Sequence, residues 1–179
     1  MKLLLVQPNW SLHSTIQSMS PQRKVAIISL DGINLSSRFI LKEMSIHIED
    51  EDSLRHFVFS KPVDLQMTAQ DRRTENYCKR VLGAVGINEY TVGSVQYYGH
   101  ISILNSLADY TIYCAGHVAY KFLTSVLPYA SIYDIQDIST HTFPNELPNA
   151  FCGISHNPRY CSLAKLWHMA HFVNNVLQY

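Results

Sequence analysis

The segment Cys152-Gly-Ile-Ser-His156-Asn-Pro-Arg-Tyr-Cys161 sets two thiols and an imidazole within ten residues. These are ligand types that zinc prefers, carried here on a Gly- and Pro-containing loop, although the gaps differ from those of a standard finger. Three such ligands leave one coordination position to fill. Asp31, at the end of an apolar run and next to Gly32, reads first as a turn-capping carboxylate and only second as a catalytic one. Arg72, Arg73, Lys79 and Arg80 surround Tyr77 in a segment of helical pattern. Arg73, Tyr77 and Arg80 at i, i+4 and i+7 would share a face able to grip phosphates and stack a base. Cys78 and Cys114 read as packing thiols, and His168 and His171 on the last helix first as satisfied histidines on a mixed face and only second as substitute ligands.

The elements that must position these residues are expected in the order β-β-β-α-α-β-α-β-α. A β-branched run over 25–30 reads as a buried strand closed by the Asp31-Gly32 turn pair. Residues 38–48 alternate in part, giving a second strand with Glu43 at its middle. The acidic stretch 49–52 is a solvated turn, and 55–60 makes a third strand closed by Pro62. The period then lengthens: Asp71 would cap a helix to about Leu82, ending at Gly83 or Gly86, and a second helix is expected from about 94 to 107. Strands at 110–114 and 130–134 flank a helix over 119–127 that Pro128 stops. Residues 138–159 hold three prolines and read as irregular. The last helix starts near Cys161, with Leu163, Leu166, Trp167, Ala170, Val173 and Leu177 at helical spacing. Residues 1–22 form an N-terminal arm or extra strand before a single domain at 23–179.

Composition bounds the function. With 47% hydrophobic and only 16% charged residues in 179, the chain can bury a real core and is not disordered. Fourteen basic residues cancel fourteen acidic ones, so nucleic acid would have to be met by a local patch rather than by long-range attraction. The apolar start at 1–6 is too short for a signal core, no run approaches a membrane span, and four cysteines make no dense framework. A soluble protein of the cytoplasm or nucleus, not secreted and without membrane contact, is expected.

Three strands followed by alternating helices and strands is the order of the ribonuclease-H-like fold, an α/β fold whose mixed five-stranded sheet is flanked by helices. Ala26-Ile-Ile-Ser-Leu-Asp-Gly-Ile33 resembles the first strand of the proofreading-type (DEDDh) 3′–5′ exonucleases, which ends in Asp-x-Glu. Phe39-Ile-Leu-Lys-Glu-Met-Ser-Ile46 is similar to their second strand. Ile112-Tyr-Cys-Ala-Gly-His-Val-Ala-Tyr-Lys-Phe-Leu123 resembles their Gly-His-Asn motif, and Tyr160-Cys-Ser-Leu-Ala-Lys165 sits where their His-x-Ala-Leu-x-Asp opens the last helix. The resemblance implies two divalent ions held by four carboxylates. Only Asp31 remains: Ile33, Lys121 and Lys165 stand at the other three positions, and Tyr160 replaces the water-activating histidine. A lone carboxylate cannot hold two hard cations, so Asp31 is vestigial, with Asp109, Asp134 and Asp137 as the nearby acids open to recruitment.

The chain also resembles the Maelstrom domain, a ribonuclease-H-like domain of germline small-RNA pathways that lacks the exonuclease acids and carries a Glu-Cys-His-Cys zinc site. On this resemblance Glu43, in its Lys-Glu-Met context, is the first ligand, followed in order by Cys152, His156 and Cys161. A mid-strand carboxylate is costly without a partner, and four protein ligands would close the site to a catalytic water. The resemblance implies structural Zn²⁺ and a catalytically degenerate module that binds RNA, as single strands, or protein, in a small-RNA, viral or mobile-element setting. It leaves two other readings: a metal-independent single-strand RNA nuclease of Maelstrom type, and an assembly protein that borrowed the fold.

Overall fold

The computed structural model describes residues 24–51, 53–88, 93–138 and 156–176. The expected arm at 1–22, residue Cys152 and most of the irregular 138–159 segment lie outside the described residues. Strands β1 (Val25–Asn34) and β2 (Phe39–Ile48) are each ten residues long and buried on both faces, and they form the spine of the sheet. They pair antiparallel, and β3 (Ser53–Val58) continues the meander on β2. On the other side of β1, β4 (Thr111–Cys114) and β5 (Ser131–Asp134) add in parallel, giving the order β3-β2-β1-β4-β5. The parallel step needs a crossover, and α3 (His117–Val126) supplies it. The molecule is thus α/β, with a mixed five-stranded sheet flanked by helices. Among the described residues no helix is long and apolar enough to cross a membrane.

The two sheet faces differ in chemistry. One carries Ala26, Ile28, Leu30, Met44 and Ile46 into a large core with Leu104 of α2 (Gly99–Asn105) and Leu123 of α3. The other is covered by α5 (Ser162–Val176), which packs Leu166, Met169 and Val173 against Ile27 and against Ile135 of α4 (Ile135–Ile138). Each such side chain contributes about 1.5–3 kcal/mol by leaving water. Along this second face the apolar row gives way to polar residues: Ser29 and Asp31 on β1 lie opposite Ser45 and Glu43 on β2.

Several expectations need correction. Asp31-Gly32 is no turn: β1 runs through it to Asn34, and the register shifts between the two residues. Glu43 pairs with Asp31 and Leu41 with Gly32, which leaves Lys42 as the extra residue of a β-bulge. A Cβ on Gly32 would lie 2.1 Å from the Ile40 carbonyl oxygen, so this close approach needs glycine. The partly alternating β2 is covered on both sides; even Lys42 is 1% exposed, its Nζ donating to the carbonyls of Phe59 (2.7 Å) and Ile87 (3.3 Å).

Asp71 does not cap its helix. In α1 (Ala69–Tyr77), Thr68 is the N-cap and Asp71 closes a capping box from the third position. Regular α-winding ends at Tyr77, and Cys78–Leu82 continues as a π turn closed by Gly83 at φ 68°. The second helix is shorter than 94–107 because Val95 joins the sheet region instead. Its amide donates to Val58 O and its carbonyl accepts from Ser60 N, at 2.8 and 2.9 Å.

Candidate metal centre

Glu43 projects from the middle of β2 toward the start of α5 and is fully buried. The chain reaches that point through a 3-10 turn, Pro158–Tyr160, in which Asn157 Oδ1 accepts from Arg159 N at 3.0 Å. Cys161 ends the turn, and its carbonyl accepts from Lys165 N to begin the helix. Helix N-termini leave amides without partners and favour negative charge. Glu43 Oε2 meets this need, accepting from Ser162 N at 3.1 Å and from Ser162 Oγ at 3.4 Å.

The other carboxylate oxygen, Oε1, makes no hydrogen bond among the described residues. It lies 3.0 Å from His156 Nε2. The ligand atoms of Glu43, His156 and Cys161 all fall within 4.8 Å of one another. Zinc bonds of about 2.0–2.3 Å would hold tetrahedral ligand atoms roughly 3.3–3.8 Å apart. The three residues therefore form a buried group that could hold a metal ion, and the unbonded Oε1 is the atom such an ion would satisfy. Cys161 is a free thiol. Cys152, the remaining expected ligand, falls outside the described residues.

Around this group lies a hydrogen-bonded layer that sequence reasoning missed. Ser162 Oγ is 2.8 Å from Ser45 Oγ, which in turn is 2.8 Å from His56 Nδ1. Burial lowers the His56 pKa, against the opposing pull of Glu43, so the ring is held neutral, and its Nε2 is buried without a partner among the described residues. The available signal was register: His56 stands opposite Ser45, two residues along from Glu43 on the same face. No local motif contains the three.

Asp31 sits beside Glu43 across the strands but does not join the group. One carboxylate oxygen accepts from Gly32 N at 2.8 Å, and the other takes a hydrogen bond from the Lys165 ammonium. Burial pushes the Asp31 pKa up to about 6, with the Lys165 charge opposing the rise. A protein-borne cation thus meets the carboxylate that the exonuclease resemblance would give to a metal. Asp134 is also engaged, its Oδ1 accepting from Gly116 N and Gln136 N. Asp109 and Asp137 are exposed. Of the thiols read as packing, Cys114 is buried in the core and Cys78 packs against it; burial raises the Cys114 pKa to about 12.

The expected basic face is partly realised. Arg72, Arg73, Tyr77 and Arg80 are exposed, and Lys79 is half-buried. The π turn after Tyr77 changes the winding, however, so the i, i+4, i+7 alignment does not run unbroken to Arg80. His168 and His171 lie on α5 outside the metal-capable group. No family model matches this chain, and neither does any curated protein or solved structure.

Proposed function

We propose that the chain is a catalytically degenerate ribonuclease-H-like domain, related to the Maelstrom domain, that is stapled by zinc and binds single-stranded RNA. The observation that carries this reading is the convergence of Glu43, His156 and Cys161 on one buried point. Thiolate, imidazole and carboxylate together suit zinc better than magnesium or calcium, which take oxygen ligands. With Cys152 as the fourth ligand the coordination shell is closed, and the ion ties the segment before α5 to the central strands. Degeneracy is supported by Lys165: its ammonium on Asp31 occupies the neighbourhood in which a two-metal nuclease would need cations.

RNA is engaged, on this reading, by Arg72, Arg73 and Arg80 on phosphates, with Lys79 adding charge and Tyr77, 54% exposed, stacking on a base. Gel shifts with a single-stranded oligoribonucleotide test it. Binding should weaken steeply with salt, by a log–log slope of roughly 0.7 for each phosphate neutralised, and should fall in an Arg72→Glu/Arg73→Glu double variant. No cleavage should follow with Mg²⁺ or Mn²⁺. Absent or salt-insensitive binding contradicts the RNA assignment, and cleavage lost on Asp31→Ala contradicts the degeneracy.

A further inference from the structure

A second feature lies far in chemistry from the metal centre. Between the β1–β2 turn, the segment before α2 and one face of α3 opens a cavity of about 680 Å³, within the 300–1,000 Å³ usual for binding pockets. Its floor is aromatic. Phe39 meets Phe122 edge-on at 5.5 Å, and His100 lies 5.4 Å from Phe122. The His100 ring is fixed by Nδ1, 2.6 Å from the Tyr97 carbonyl, and burial lowers its pKa, so it adds no charge to the floor. The rim is apolar but exposed: Tyr98, Ile101 and Val118 are 46%, 42% and 42% accessible. Exposed apolar groups gathered around a concavity are the kind of surface at which partners dock.

The wall is braced and the charge at the rim is one-sided. Tyr98 donates its hydroxyl to Asp64, and Arg38 pairs with the same carboxylate at 3.3 Å, so Tyr98 is held upright without a partner bound. Asp64 thereby compensates Arg38. Lys121, exposed on α3 at the cavity edge, has no ion pair among the described residues. We propose that this cavity docks a protein segment whose large apolar side chains enter between Phe39, Tyr98 and Phe122 while a neighbouring Asp or Glu meets Lys121. Preorganised aromatic pockets of this kind take the anchor residues that dominate protein interfaces, and Lys121 at the rim selects an acidic neighbour. Nucleic acid is disfavoured here because it brings a phosphate with every nucleotide to a site that offers, among the described residues, one uncompensated cation. The proposal goes beyond the RNA reading and stands without it.

Panning a random-peptide phage library on the full chain, followed by fluorescence polarisation with the labelled consensus peptide, tests the assignment. The selected peptides should share a Leu, Phe or Trp anchor beside Asp or Glu. Val118→Glu, at an exposed position that leaves the fold intact by circular dichroism, should weaken binding about tenfold or more. Lys121→Glu should weaken it too, and a peptide with its acid changed to lysine should regain affinity for that variant. Arg73→Glu should change nothing. Failure to enrich such a consensus overturns the proposal, as does binding that survives Val118→Glu, or displacement of the peptide by an oligouridylate whose own binding Val118→Glu abolishes. Peptide binding with a failed RNA gel shift would remove the RNA reading alone.

Discussion

Glu43 is asked to do two things with two oxygens, and the protein answers only one of them with its own hydrogen bonds. Oε2 terminates α5 through Ser162, whereas Oε1 faces His156 Nε2. A buried carboxylate oxygen left in that state costs free energy unless something positive meets it, and this is the residue-scale reason to place a metal there. Asp31 shows the alternative solution: its charge is met by Lys165. Breaking a buried pair from one side typically costs about 3–5 kcal/mol. The Lys165 side chain is 20% exposed, so Lys165→Met should cost less, about 2 kcal/mol, measured by urea unfolding, and Asp31→Asn in the same chain should restore most of it. The pH sign follows. Asp31 titrates near 6 in the folded state and near 3.9 unfolded. Its contribution to stability is therefore full below about pH 4 and is lost as pH rises through 6. Removing Lys165 should move the upper end of that window higher, seen in the Asp31 carboxyl carbon resonance; an unmoved resonance would refute the pairing.

At the scale of elements, the site depends on how neighbouring segments are tied. Asp71 joins α1 to the β1–β2 turn: one oxygen accepts from Ser36 N and Oγ, the other from Thr68 N and Oγ1. These bonds hold its carboxyl well below the usual range. Its contribution is present above the unfolded value of about 3.9 and is lost as pH falls toward the folded one. Asp71→Asn should lower the melting temperature at pH 7 and flatten the acid-side decline, while an unchanged acid limb would show the turn to be held otherwise. Gly83 ties the π turn to the candidate metal centre, its carbonyl accepting from Asn157 N at 3.0 Å, next to His156. It adopts φ 68°, and an added Cβ would lie 3.1 Å from Asn157 Cβ. Gly83→Ala should cost about 1–2 kcal/mol and weaken metal binding at the same time; a stability loss with unchanged metal affinity would break that link. Element types were legible because period-2 and period-3.6 patterns switch where the strands give way to helices. The bulge at Lys42 was not, because it depends on pairing with β1, whereas Thr68-x-x-Asp71 is a local capping box that the sequence displays.

For the whole molecule, the order of elements was readable from the sequence apart from the short α4, while the faces on which α2, α3 and α5 pack were not. Period and turn chemistry are local, and the crossover rule does the rest. What escaped was the chemistry of the sheet face under α5. Ser45, His56, Ser162 and Lys165 are unremarkable by type and acquire a role only when β1, β2, β3 and α5 converge. The two proposed surfaces also differ in kind: one is an exposed basic helix face, the other an apolar cavity with Lys121 at its rim. A metal bound only by the folded chain would stabilise it by mass action, about 4 kcal/mol at a thousandfold excess over Kd, so the staple and the fold should rise and fall together. Metal content of the purified chain, by inductively coupled plasma mass spectrometry beside Glu43→Gln and Cys161→Ser, tests this most directly. The account predicts about one zinc per chain, lost in both variants, with chelation lowering the melting temperature of the parent alone. A parent chain that carries no zinc and takes none up, or a Cys161→Ser chain that keeps its full complement, would contradict it.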